Sequence, residues 1–77
     1  MERLCIEWVA IEEVSLNPRN PRVNDHAVPA VKASILRFGF RQPIVANRRT
    51  GLIEAGNARY KAARELGLPE IPVVWVE

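Results

Sequence analysis

Leu52-Ile53-Glu54-Ala55-Gly56-Asn57-Ala58-Arg59-Tyr60-Lys61-Ala62-Ala63-Arg64-Glu65-Leu66 is the stretch on which the fold turns. Leu52 to Ala55 read as a strand, Gly56-Asn57-Ala58-Arg59 as a tight turn, and Ala58 to Leu66 as an alanine-rich helix. A glycine between strand and helix lets the backbone turn sharply and lets a ligand approach the main chain. The first amides of the helix have no internal acceptors and carry the positive end of its dipole, which suits an anion. Arg59 adds a cation with a planar donor fork matched to phosphate. Asn57 is suited either to cap the helix or to donate to a ligand. Local physics leaves two readings open here, an anion site or a plain turn with an asparagine cap. Neither Walker nor dinucleotide glycine spacing is present.

Outward from this stretch, Gly67 stops the helix, and Pro69 and Pro72 flank the exit into a final apolar strand, Ile71 to Val76. That strand is buried on both faces if Val73, Val74, Trp75 and Val76 all point inside. On the other side, Arg48-Arg49-Thr50-Gly51 reads as a hairpin-like turn from Ile44-Val45-Ala46, a short strand introduced by Pro43. Val28, Val31, Ile35 and Phe38 recur at helical period and predict one buried face, with Asn24 or Asp25 as the cap. Pro29 fits only the first turn of that helix, and Gly39 ends it. Asn17-Pro18-Arg19-Asn20-Pro21-Arg22 is a loop, because each proline holds its predecessor extended. Ile11 to Val14 make a short helical turn or an irregular crossover, and Leu4 to Val9 form a first strand. The expected order is β-α-β-β-α-β, a small mixed sheet with two packed helices of the α+β class. Trp8 and Trp75 fall in strand patterns and are expected in the core.

Seventy-seven residues make one domain, 1–77, burying little more than ~60% of the unfolded surface. Cys5 is the only cysteine and His26 the only histidine, so neither a disulfide nor a structural metal site is expected. A lone thiol and the absence of a signal peptide pattern favour the cytoplasm. Among the 77 residues no apolar run is long enough to span a bilayer, so no membrane partner is expected. The formal charge is only +2, yet ten of the eleven basic residues lie between Arg19 and Arg64 with just two acids, Asp25 and Glu54. This local excess suits a polyanion or a phosphate ligand, or else forms a solvated basic face.

Two further segments carry candidate groups. Gly39-Phe40-Arg41-Gln42-Pro43 places a guanidinium and a carboxamide beside a strand edge, where Arg41 suits a phosphate and Gln42 a base or ribose. Otherwise it is a plain loop with a buried Phe40 and exposed polar neighbours, the reading the segment favours taken alone. The two prolines of the 17–22 loop lower the entropy cost of fixing Arg19 and Arg22, either of which can clamp an anion or pair with an acid. No Ser-His-Asp set and no carboxylate cluster stands out.

Together these residues resemble the ParB/sulfiredoxin superfamily, and specifically the ParB-like N-terminal domain, also labelled the ParB-like nuclease domain. The pattern runs through Asn20-Pro21-Arg22, Ser34-Ile35 with Phe38-Gly39-Phe40, and Gln42-Pro43-Ile44-Val45. It continues through Ala55-Gly56 with Arg59 and Ala62-Ala63, then Leu66-Gly67-Leu68 and Ile71-Pro72-Val73. The resemblance implies a nucleotide, CTP or another, with Mg2+ if it is a triphosphate, bound through its phosphates at Gly56, Asn57, Ala58 and Arg59. Arg22, Gln42 and Pro43 follow as secondary nucleotide contacts.

The family turn usually reads Gly-Glu-Arg-Arg, and Asn57 with Ala58 here removes one charge of each sign. Weaker triphosphate binding and little or no hydrolysis are therefore expected. Sulfiredoxins place a catalytic cysteine where Asn57 stands, and the free-serine kinases an acid where Ala55 stands, so neither chemistry is expected. ParB proteins continue into a helix-turn-helix domain that completes the nucleotide site. This chain is thus a standalone short relative, a fragment, or a domain working beside another. Similar short domains lie beside phage and plasmid DNA methyltransferases. The resemblance leaves three readings open: a nucleotide-binding module of a partitioning or DNA-modification system, a nuclease acting on DNA, or a protein-interaction domain with a vestigial site. It implies DNA as a partner reached through another domain or protein, and leaves a homodimer open.

Overall fold

The computed structural model describes residues 5–18 and 25–77. Strand β1 (Ile6–Ala10) runs into a single 3-10 turn, Ile11–Glu13, and a second such turn, Asp25–Ala27, leads into helix α1 (Val28–Phe38). Strands β2 (Ile44–Asn47) and β3 (Ile53–Ala55) follow, then helix α2 (Asn57–Leu66) and strand β4 (Glu70–Val76). The order β-α-β-β-α-β and the α+β class match the sequence expectation.

The sheet runs β1-β4-β2-β3, with β4 antiparallel to β1 and parallel to β2, and β2 antiparallel to β3. The last strand of the chain is therefore central, which accounts for its apolar run. Ile71, Pro72, Val73 and Val74 are buried, while Trp75 and Val76 are only partly so. Alternation selects the core face: Val9, Ile71, Val73, Ile44, Ala46 and Ile53 form one cluster with Tyr60 and Ala63 of α2. Ile44, Ile53, Ile71 and Val73 are its largest fully buried side chains. Truncating Ile44→Ala is expected to cost about 2–4 kcal/mol in a urea melt, the usual loss for a fully buried isoleucine. Trp8 stands on the opposite face of β1 and is 60% exposed, contrary to the core expectation. Its truncation to alanine should cost far less than that of Ile44.

Helix α1 packs on α2, joined by the Lys32–Glu65 ion pair at 3.2 Å, rather than lying on the sheet. That position explains why the expected buried stripe is graded. Val28 is buried, Val31 and Ile35 are half-buried, and Phe38 is 56% exposed with the Arg37 guanidinium 5.1 Å from its ring centre. The helix is capped by Ala27 without a side-chain hydrogen bond, so Asp25 is not the cap residue. Asn24 lies outside the described residues. Pro29 stands in the first turn as expected. Helix α2 ends in a Schellman arrangement: the Gly67 amide donates to the Arg64 carbonyl at 3.1 Å and the Leu68 amide to the Ala63 carbonyl at 3.0 Å. Gly67 takes φ of 73°, which a residue bearing Cβ adopts only with strain.

Two connections bear on the site. The β2–β3 hairpin is organised by Asn47, whose Oδ1 accepts from the Arg49 and Thr50 amides at 2.9 and 3.3 Å while its Nδ2 donates to Glu54 Oε2 at 3.1 Å. Beyond β3, the segment around Ser15 adds a short parallel bridge. The Ser15 amide donates to the Gly51 carbonyl at 3.0 Å and the Ile53 amide to the Ser15 carbonyl at 2.9 Å. Asn17 and Pro18 consequently flank Leu52 and Glu54, so the Asn-Pro loop departs beside the strand that leads to Gly56.

Candidate functional site

At the end of β3 the chain reverses on Gly56, whose φ of 104° is open to glycine and strained for other residues. This residue, not Asn57, is the N-cap of α2, and the helix begins at Asn57, one position earlier than the sequence pattern suggested. A left-handed glycine closes the turn by backbone alone, so no side chain is needed to complete it. Among the described residues no side-chain cap is made at this end, and the first turn contains no acidic residue. The positive end of the α2 dipole is thus left uncompensated by its own helix. Asn57 Oδ1 is buried and has no hydrogen-bond partner among the described residues.

Arg59 folds back over the turn. Its Nη1 donates to Gln42 Oε1 at 3.1 Å and its Nη2 to the Pro43 carbonyl at 3.3 Å. A Cβ built on Gly56 would stand 3.1 Å from Nη2 and 3.3 Å from Nε, so the guanidinium lies directly against the glycine backbone. Nε is buried without an acceptor among the described residues. Burial lowers the Arg59 pKa from its usual value, yet a guanidinium stays cationic at neutral pH. Both of its acceptors are neutral amide oxygens, so its charge is held without being cancelled.

The segment that anchors Arg59 also walls a groove of about 470 Å³. Val31, Ser34, Ile35 and Phe38 of α1 form one side; Phe40, Arg41, Gln42 and Arg59 form the other. The structure therefore brings together Gln42, Pro43, Gly56, Asn57, Ala58 and Arg59, and adds Arg41, exposed at the groove. Arg19 and Arg22 lie outside the described residues. Sequence reasoning missed the α1 residues of the groove, because Val31 and Ile35 carry the signature of an ordinary buried helix face. Nor did it anticipate that the side-chain oxygen of Gln42, expected as a ligand contact, accepts from Arg59. An acceptor separated from its donor by a strand and a hairpin leaves no local signal.

A groove with apolar side chains of α1 on its wall and Arg59 in its lining can receive a ligand with an anionic end and a less polar body. The chain belongs to the ParB N-terminal domain family, whose model matches residues 2–77. Among known proteins it is 32% identical over 73 residues to stage 0 sporulation protein J of Bacillus subtilis (strain 168), a match covering 90% of this chain and 26% of that protein. It is 33% identical over 75 residues to the probable chromosome-partitioning protein ParB of Mycobacterium leprae (strain TN), covering 86% of this chain and 22% of the relative. The chain thus spans about a quarter of the length of these relatives.

Among solved structures it resembles C-terminally truncated ParB from Caulobacter crescentus complexed with CTP-gamma-S. The TM-score is 0.80 at 29% identity, over 95% of this chain and 44% of that one. Sulfiredoxin from Arabidopsis thaliana shares the fold, with a TM-score of 0.79 at 26% identity over 95% of this chain and 85% of that one. The resemblance read from the sequence is confirmed at the level of family and fold.

Proposed function

We propose that this chain is a nucleotide-binding module, with CTP the first ligand to test, serving a DNA-associated system such as partitioning or DNA modification. The observation that carries the reading is Arg59, half-buried, still cationic, and held against Gly56 beside the uncapped amides of α2. Support comes from family membership and from the Caulobacter relative, which was crystallised with a CTP analogue. Phosphates would sit on the Asn57, Ala58 and Arg59 amides and the Arg59 guanidinium, and the groove along α1 would take the nucleoside.

The turn supplies no ligand set for Mg2+. The first turn of α2 has no acid, and the Glu54 carboxylate accepts from Asn47. A Mg2+ ion would arrive on the triphosphate itself, and the site is one for binding more than for hydrolysis. DNA would be reached through another domain or partner.

Calorimetric titration of the chain with CTP, ATP and GTP, each with Mg2+, tests this reading. Heat of binding is expected for CTP, in the range of weak complexes, and it should diminish as salt is raised because the contact is ionic. No heat with any of the three would sink the proposal. Incubation with single- and double-stranded DNA and Mg2+ or Mn2+ tests the nuclease alternative, and cleavage lost on Arg59→Ala would replace the binding reading.

A further inference from the structure

Gln42 is the residue in the site whose contacts differ most from its expected role. An arginine side chain that is free to rotate loses rotamer entropy when it is fixed, a cost that falls on ligand binding unless the protein has already fixed it. Here two acceptors fix it. The Pro43 carbonyl belongs to the backbone entering β2 and precedes the fully buried Ile44, so it is a rigid acceptor. Gln42 Oε1 is the adjustable one, held 3.1 Å from Nη1. These bonds occupy one proton on each terminal nitrogen, leaving the second proton on each, and Nε–H, unused among the described partners. A glutamate at this place would tether the same guanidinium more strongly but cancel its charge; the carboxamide tethers it and leaves the charge for an anion.

We propose that Gln42 is a positioning residue that holds the Arg59 guanidinium against Gly56 in readiness for an anion, and that it does not itself read the ligand. The tether stands on the geometry alone, while its effect on affinity rests on the nucleotide reading above. Two measurements on the 77-residue chain separate the parts.

The first is the pair of Arg59 Nη resonances in the nucleotide-free protein, because rotation about Nε–Cζ exchanges the two terminal NH2 groups that make these bonds. Slow rotation is expected in the parent chain and in Gln42→Glu, and faster rotation in Gln42→Leu, where the Pro43 carbonyl alone remains. Equal rotation in parent and Gln42→Leu overturns the tether. Gln42 is exposed, so these variants are expected to fold.

The second is a double-mutant cycle of CTP affinity with Gln42→Leu and Arg59→Ala. Gln42→Leu should weaken binding about three- to tenfold in the parent, the ordinary range for one hydrogen bond, and change nothing when Arg59 is already alanine. An equal loss in both backgrounds means that Gln42 touches the ligand directly and overturns the positioning role. If the parent binds no nucleotide, the nucleotide reading fails, and the NMR result alone decides the tether.

Discussion

Gly56→Ala is expected to destabilise the chain by about 2–5 kcal/mol and to abolish ordered placement of Arg59. Two costs combine. An alanine at φ of 104° carries left-handed strain of about 1–2 kcal/mol. Its Cβ would also stand 3.1 Å from Ile44 Cγ1 and 3.1 Å from Arg59 Nη2. Ile44 is fully buried and central to the core, so it cannot yield cheaply, and overpacking of this kind adds about 1–3 kcal/mol. Arg59 is the softer partner and would be pushed off the turn. Gly67→Ala is the control, because Gly67 is also left-handed but has nothing within 4 Å of a built Cβ. It should lose only the strain. Urea melts of both variants give the comparison, and equal losses would show that the packing over Gly56 contributes nothing. Against a total stability of roughly 4–12 kcal/mol for a domain of this size, the difference is large enough to measure.

Arg59→Ala is expected to weaken CTP binding by about 10- to 100-fold, with little effect on stability. Hydrogen bonds between charged groups are each worth about 1.5–3 kcal/mol, and this guanidinium supplies the fixed cation of the turn. The position before it is Ala58, where the usual family turn has a further arginine, so the loss is not shared with a neighbour in the turn. Stability should hardly change, because Arg59 bonds two neutral acceptors at 3.1 and 3.3 Å and leaves Nε buried without a partner. Removing a group that is incompletely satisfied on burial returns part of its desolvation cost. Arg64→Ala, on the exposed side of α2, is the reference. It should bind nearly as the parent does, apart from a small, salt-sensitive effect.

Much of the architecture was legible because local rules and tertiary context agree. Glycine stops and proline placements mark elements whose ends need specific backbone chemistry, and the apolar run of Ile71 to Val74 marks the buried part of the central strand β4. Where context decided, the reading failed. Trp8 and Phe38 fit strand and helix patterns, yet β1 is an outer strand and α1 an outer helix, so their large side chains are 60% and 56% exposed. The site was legible at Gly56 and Arg59, where turn and charge coincide within one helical turn. Of the two roles open to Asn57, the cap is taken by a left-handed glycine, Gly56. The Gln42–Arg59 bond joins residues on either side of a hairpin, and no spacing rule anticipates it.

Backbone amide resonances of the chain, followed by NMR through a titration with CTP and Mg2+, locate any site residue by residue. The largest shifts are expected at Gly56, Asn57, Ala58 and Arg59, smaller ones from Gly39 to Gln42, and none beyond noise at Trp8 on the far face of the sheet. Shifts centred elsewhere, for example on the Arg48–Arg49 hairpin, or no shifts at saturating nucleotide, would contradict a nucleotide site at the Gly56 turn.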